Sequence, residues 1–242
     1  LKYRKNMLMM NNNKLSMIAE IECNIDDIIN KFKMPDGEIP VLPTKNLVLF
    51  PGVMLPILVG KNATAGQMLA AERDEAIIAV VNQTNTDTDT PSKDDMANIG
   101  VFARVVKCID MPGGMETCIV QALGKMRVTS FKRLGMMLFA TCEPSPEKNV
   151  YRKDIEFKQA CENLKKTTLK YIHSNEEIPD ESAMTVEQLN NDTLLVNFIA
   201  SNMPFPVKAK LEMLETDELK ERVFMILRHL DRELQLIQIR NN

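Results

Sequence analysis

The sequence has few of the side chains on which enzymatic catalysis most often depends. Only two histidines occur in 242 residues, His173 and His229, and both lie among charged residues in segments with helical periodicity. A Ser-His-Asp arrangement needs a histidine beside a nucleophile, whereas these two positions predict solvent-facing helical histidines. We therefore predict no catalytic residue in this chain.

Cysteine is also sparse, and its spacing excludes the common cysteine frameworks. The five cysteines are Cys23, Cys108, Cys118, Cys142 and Cys161. Their number is odd and no C-x-x-C pair occurs, which argues against a zinc site and against a disulfide framework, and is typical of a reducing compartment. Cys108 and Cys118 flank the turn Met111–Met115 symmetrically, so we expect them to face each other across a hairpin.

Tryptophan is absent, aromatic residues make up 5% of the chain, and the formal net charge is −3. A nucleic-acid-binding domain usually carries a basic surface and aromatic stacking platforms. The composition therefore disfavours nucleic acid as a partner.

The sequence contains no apolar run of the roughly 20 residues that a membrane-spanning helix needs. The first ten residues are basic and partly apolar, but they have neither the continuous apolar stretch nor the small-residue cleavage site of a targeting peptide. We expect a cytoplasmic protein. Because the chain begins with Leu1, we also expect it to be a piece of a longer protein.

Residues 1–38 form an N-terminal extension with little pattern. Residues 1–14 are rich in Asn, Lys and Arg without periodicity, whereas isoleucines recur at helical intervals between residues 15 and 32. The extension is therefore predicted to be flexible or to form one amphipathic helix.

The densest apolar stretch is Ile39–Gly60, IPVLPTKNLVLFPGVMLPILVG. Leu47–Phe50 and Val53–Val59 are predicted to be strands joined by a turn at Pro51 and Gly52. Both faces of this hairpin would be apolar, which favours a closed or partly closed barrel.

Residues 39–143 continue this pattern and predict a small β-barrel lobe with one helix. A helix is expected at Ala63–Asp74, and a second hairpin turns at Pro112-Gly113-Gly114. Further strands are expected at Ala76–Val81, Ile99–Met111, Met115–Leu123, Gly124–Phe131 and Met136–Cys142.

Residues 144–242 change to helical periodicity after the Pro-rich segment Glu143–Glu147 and predict an all-α bundle. Helices are expected at Lys153–His173, Thr185–Ser201 and Val207–Leu214, with a long last helix from Thr216 onward. Apolar residues recur at helical intervals up to the last residues of the sequence, so we expect the helix to continue in a longer protein. The predicted fold class is α+β: a barrel lobe followed by a helical bundle.

Three collinear stretches of this sequence resemble a known family. They are IPVLPTKNLVLFPGVMLPILVG, IGVFARVVKCIDMPGGMETCIVQALGKMRV and IASNMPFPVKAKLEMLETDELKERVFMILRHLDRELQLIQ. Together they resemble the N-terminal domain of Lon, the ATP-dependent protease of bacteria and organelles, from Ile39 to the last residue. The resemblance implies a PUA-like barrel followed by helices.

The same resemblance implies a function in substrate recognition. A Lon-type protease would bind misfolded or degron-bearing proteins through this region, while ATP, Mg²⁺ and a Ser-Lys dyad would act in other parts of the protein. Neither the motifs of a Walker-type ATPase nor those of a Ser-Lys peptidase occur in these 242 residues. We therefore expect no cofactor or metal here. A stand-alone protein-binding adaptor and a PUA-like RNA-binding module remain alternatives.

Methionine is abundant, with 17 residues, and flexible methionines suit surfaces that bind many partners. We predict that unfolded substrates contact three apolar segments of the barrel lobe; the alternative is that these segments pack between the two lobes. The residues concerned are Val53, Met54, Leu55, Met111, Pro112, Met115, Met136 and Met137.

The last helix suggests a second contact surface. Its apolar stripe includes Leu230, Leu234 and Ile237. These residues are predicted to pair with neighbouring subunits in the ring assembly that the resemblance implies. The alternative is an intramolecular contact with the other helices.

Overall fold

The computed structural model of the chain describes residues 32–33, 35–60, 63–148 and 154–240. Nearly all of the N-terminal extension, including most of the predicted helix, lies outside these residues. Six strands come first: β1 (Glu38–Thr44), β2 (Met54–Gly60), β3 (Ile77–Gln83), β4 (Met96–Met111), β5 (Met115–Leu134) and β6 (Met137–Pro144). The helix α1 (Ala63–Arg73) lies between β2 and β3.

Five helices follow the sheet in the described part of the chain. They are α2 (Ile155–Ser174), α3 (Glu181–Gln188), α4 (Asp192–Asn202), α5 (Val207–Glu215) and α6 (Leu219–Arg240). The predicted fold class, an α+β chain with a barrel followed by a helical part, is confirmed. The single helix predicted over Thr185–Ser201 was wrong: Leu189 is extended, and the Asn191 side chain accepts the Leu194 amide to begin a new helix.

The barrel closes on the side of β6 because β5 is long enough to pair with three strands. The strand order is β2-β5-β4-β3-β1-β6, and β6 pairs again with β5. The first part of β5 pairs with β2, and its last part, Met126–Leu134, pairs with β6. β1 joins the ring through a parallel pairing with β3 and an antiparallel pairing with β6.

The first predicted hairpin does not form. Val48–Phe50 is buried and Leu47 is half-buried, but the segment is not a strand. Side chains of α4, and not a neighbouring strand, bind the Val48 carbonyl and the Pro51 carbonyl that follows the segment. Ser201 donates to the Val48 carbonyl at 3.2 Å, and Asn197 donates to the Pro51 carbonyl at 3.0 Å. The second predicted hairpin, β4 with β5, is confirmed.

Two apolar clusters fill the structure. The smaller lies within the barrel and includes Val41, Phe102 and Met126. There β3 and β4 approach closely at Gly100, where a Cβ would lie 2.4 Å from the Val80 carbonyl oxygen. The larger cluster combines residues of β2, β4 and β5 with residues of the helices. The partition into residues 39–143 and 144–242 stays a prediction, since one core runs through both parts.

Arg222 of α6 is the central polar residue of the junction between sheet and helices. Its side chain is fully buried. It donates to the Met213 carbonyl at 2.8 Å, the Thr216 carbonyl at 3.0 Å and Asn197 Oδ1 at 2.6 Å, and it forms an ion pair with the buried Glu147. The guanidinium carbon also lies 5.1 Å from the ring centre of Phe50. These contacts hold the junction together.

Candidate protein-binding surface

The predicted methionine surface divides between two places that β5 keeps apart. Met111 is 38% exposed and Pro112 is exposed at the tip of the β4–β5 hairpin, where the backbone of Met115 pairs with that of Met111. Met136 is 61% exposed and Met137 is half-buried, but both lie beyond the other end of β5. The structure therefore places the hairpin tip and the Met136 turn at opposite ends of one long strand.

The segment Val53–Leu55 does not offer the exposed surface predicted for it. Val53 and Leu55 are buried in the larger core, and Met54 is half-buried against it. The expectation that this segment presents an apolar surface to substrates was wrong for Val53 and Leu55. Both side chains contribute to the core, Val53 just before β2 and Leu55 within β2, where it pairs with Val120 of β5. Val53 and Leu55 lie in the cluster shared by the sheet and the helices, which agrees with the alternative of packing between the two lobes.

An exposed apolar face that the sequence reasoning missed lies across β2, β5 and β4. Register places Leu58 opposite Thr117, and Thr117 opposite Ile109. Directly opposite residues point to the same face, and Leu58 is 60% exposed and Ile109 40%. The neighbouring rows add the exposed Pro56 beside Ile119 and the exposed Met111 at the tip. We call this set of residues the β2–β5–β4 face.

The sequence carried only a weak signal for this face. Residues of β2 alternate between buried and exposed, but both sets are apolar, so a period of two could not show which set faces solvent. The opposite face, with Ile57 and Cys118, belongs to the larger core. Pro56 was the one usable indicator, since proline within a sheet is confined largely to edge strands.

The hairpin that carries part of the face is tied to α1. Glu72 accepts the Cys108 amide at 2.9 Å and pairs with Lys107 at 2.9 Å. The hydrogen bond from Lys107 is the main reason why the pKa of the Glu72 carboxyl is lowered. These contacts fix the position of the hairpin relative to α1.

Cys108 and Cys118 lie directly opposite each other, as predicted, with their sulfurs 3.0 Å apart. Both are free thiols in the structure. Burial is the main cause that raises the pKa of each thiol. They are therefore protonated at neutral pH and pack as apolar side chains.

The residues predicted for subunit contacts on the last helix face inward. Leu230 is fully buried and Leu234 is 7% exposed, while Ile237 is half-buried against the same core. The expectation of an outward stripe at these positions was wrong, because this stripe packs against the other helices. The exposed apolar residues of α6 are Phe224, Leu236 and Ile239.

The described residues show no arrangement that would hold a metal ion: no cluster of three or more His, Cys, Asp or Glu side chains occurs there. His173 is exposed near Asp180, and the ring of His229 stacks on Phe205 with 5.3 Å between centroids. Neither histidine lies beside a nucleophile in these contacts. Within the same part of the chain, no helix has the length and apolar character to cross a membrane.

The chain is thus a β-barrel with an exposed apolar face, packed against helices, and comparison with known proteins identifies its family. The profile of the ATP-dependent protease La (LON) substrate-binding domain matches residues 38–232. The chain belongs to this family.

Relatives and solved structures agree with this assignment. The chain is 32% identical to a Lon protease of Flavobacterium johnsoniae over 90% of its own length, and 33% identical to one of Anaeromyxobacter dehalogenans over 88%. It spans 26% and 25% of those proteins, about a quarter of each.

The fold resembles that of the N-terminal domain of a Mycobacterium avium complex Lon protease, with a TM-score of 0.62 at 19% identity; the match covers 81% of this chain and 98% of that one. A Lon N-terminal domain protein from Xanthomonas campestris gives a TM-score of 0.55 at 14% identity and covers 79% and 98%.

Proposed function

We propose that this chain is the substrate-recognition region of a Lon-type ATP-dependent serine protease and that it binds misfolded or degron-bearing proteins. The β2–β5–β4 face is the observation that carries the proposal. Leu58 and Ile109 lie in one row with 60% and 40% of their surfaces exposed. Exposed apolar side chains grouped on one face mark interaction sites, and unfolded polypeptides offer apolar side chains to match.

Binding of an unfolded protein tests this proposal. A reduced and carboxymethylated globular protein, labelled with a fluorophore, is titrated with the 242-residue chain. Replacing both Leu58 and Ile109 with Ser removes most of the exposed apolar area of the row, so we expect roughly tenfold weaker binding. The matched control is Met184→Ser. Met184 is also an exposed apolar residue, with 53% of its surface exposed, but it lies on α3 and not on the β2–β5–β4 face. Equal affinity of the double variant and the control would refute the role of this face.

The methionine sites remain part of the proposal. Met111 and Pro112 extend the β2–β5–β4 face at the hairpin tip, whereas Met136 would act as a separate contact. ATP-dependent steps, with Mg²⁺, and peptide hydrolysis are assigned to other parts of a longer protein. A cytoplasmic location is part of the same proposal and rests on the cysteine usage of the sequence.

We also propose that α6 supports self-association in a ring, through its exposed residues instead of its buried stripe. Ile239 is 71% exposed and Leu236 is 38% exposed near the end of the helix. Sedimentation should show weaker self-association after Ile239→Ser with unchanged thermal stability. Leu234→Ala serves as the contrast, because a buried leucine replaced by alanine lowers stability by about 2–5 kcal/mol. An unchanged mass for the Ile239 variant would count against the assembly role.

A further inference from the structure

The barrel has an open seam beside β2. β6 pairs with β1 only as far as Pro40, and β1 residues from Val41 to Thr44 pair, among the described residues, with β3 alone. Within that same part of the chain, β2 pairs with β5 alone. Between β2 and the segment Leu42–Leu47 lies a cleft of about 650 Å³. The position corresponds to a strand missing from the barrel wall.

Hydrogen bonding shows which backbone groups of β2 face this cleft. The Cys108 amide donates to Glu72 and not to β5, so Cys108 and Cys118 form a non-hydrogen-bonded pair and the backbone of Cys118 points toward β2. Ala122, four residues along β5, likewise donates to the Val53 carbonyl on the β2 side. Cys118 therefore exchanges its bonds with Ile57.

The backbone amide and carbonyl groups of successive residues in a strand point to alternate sides. The residues on either side of Ile57 therefore direct their amides and carbonyls away from β5. The amides and carbonyls of Leu58 and Gly60, and the carbonyl of Pro56, then line the cleft. Pro56 agrees with this assignment, since it has no amide hydrogen to offer the ladder with β5.

The occupant that suits this cleft is an extended polypeptide. Among the described residues, the outward amides and carbonyls of β2 have no strand partner, and such a row is a template for pairing with another strand. The free edge also continues the β2–β5–β4 face, because Leu58 contributes its side chain to the face and its backbone to the edge. A strand added to β2 would thus place alternate side chains beside Leu58 while its backbone pairs with Leu58 and Gly60.

We propose that the seam between β2 and Leu42–Leu47 binds an extended segment of an unfolded protein by β-strand addition to β2. This inference rests on the proposed function and specifies how the substrate is held. Backbone pairing supplies affinity that is independent of the substrate sequence, and the apolar face favours segments with an apolar side chain at every second position.

The experiment uses a short peptide of alternating valine and threonine with lysines at its ends, and the 242-residue chain. Amide exchange followed by NMR reports the backbone directly: the Leu58 and Gly60 amides exchange fast in the free chain and become about tenfold or more protected on saturation with peptide. The Ile57 and Val59 amides, which already pair with β5, serve as the internal control and change little.

Two peptide variants separate backbone pairing from apolar contact. Methylating every second backbone nitrogen removes the amide hydrogens along one edge of the peptide and keeps all side chains. Because valine and threonine alternate, a shift of the peptide by one residue would turn its apolar side chains to the other face, so the pairing edge is fixed. Methylation on the pairing edge should weaken binding about fivefold or more, the equivalent of one lost hydrogen bond, whereas methylation on the other edge should not. On the protein side, Leu58→Pro removes the outward amide and Leu58→Ala keeps it, so the proline variant should bind more weakly.

The outcomes are distinct. Peptide binding without protection of Leu58 and Gly60, and with equal affinity for both methylated peptides, overturns strand addition but leaves the proposed function standing. If the chain binds neither the peptide nor the carboxymethylated protein, the proposed function and this inference are both refuted. Protection of the two amides already in the free chain means that the seam is filled by the chain itself, and this also overturns the inference.

Discussion

Replacing Arg222 with Met should destabilise the whole chain far more than any exposed arginine on the same helix. The guanidinium is fully buried and donates to three acceptors besides its ion pair with Glu147, which is itself only 5% exposed. Met keeps most of the volume but leaves these acceptors, and one buried carboxylate, without their donor. Breaking a buried pair by removing one partner costs about 3–5 kcal/mol.

This magnitude is a large part of the 5–15 kcal/mol by which a domain is typically stable. For a chain of this size it corresponds to a fall in Tm of roughly 6–20 °C. Urea unfolding followed by circular dichroism measures the free energy of unfolding. Because the larger apolar cluster joins the sheet to the helices, we expect one cooperative transition for both the wild type and the variant.

Arg228→Met is the matched control. Arg228 lies on α6 as well, but its side chain is 68% exposed and its pair with Glu221 is long, at 3.6 Å. Its loss should cost less than about 1 kcal/mol, as is usual for exposed pairs. A second variant, with Glu147→Gln added to Arg222→Met, should recover part of the stability because the buried carboxylate is removed. If Arg222→Met and Arg228→Met unfold at the same urea concentration, the central role of Arg222 is refuted.

Three further changes test other parts of the structure. Glu72→Gln weakens the acceptor of the Cys108 amide, so hydrogen exchange at that amide should quicken while global stability falls by about 1 kcal/mol; unchanged exchange would contradict the anchoring role. The ion pair with Lys125 lowers the pKa of Asp217, so its stabilising effect is present above the ordinary pKa near 4 and is lost as pH falls through the lower folded-state value. Urea unfolding from pH 7 down to pH 2 should therefore show Asp217→Asn less stable than wild type at neutral pH and the difference shrinking in acid. Gly100→Ala places a Cβ against a carbonyl of β3 and should lower Tm by several degrees, whereas full retention of Tm would mean that the strands can separate there.

Local signals in the sequence were sufficient for much of the fold. The turn at Pro112-Gly113-Gly114 was predicted from residue type, and both glycines adopt positive φ values of 91° and 83°. The directly opposed cysteines followed from their equal distance from that turn. The change from strands to helices near Pro144 followed from the change in period.

The errors arose where a distant part of the chain competes for the same backbone. Leu47–Phe50 has the composition of a strand, but side chains of α4 bind the carbonyls of Val48 and of the following Pro51, and these two hydrogen bonds link positions 153 and 146 residues apart. No local pattern predicts such a contact. For the same reason the fully buried Arg222 could not be recognised, since an arginine on a helix is usually exposed.

The order of residue types along the chain was enough to establish the kinds of element and the family resemblance, because these depend on spacing between near neighbours. Which apolar residues are left for a partner depended on the packing of the complete chain. Leu58 and Ile57 are both apolar neighbours in β2, yet one is 60% exposed and the other 8%, and only the pairing with β5 and the core beneath it distinguishes them. Leu230 and Ile239 differ in the same way on α6, because the other helices cover one face of that helix and not the other.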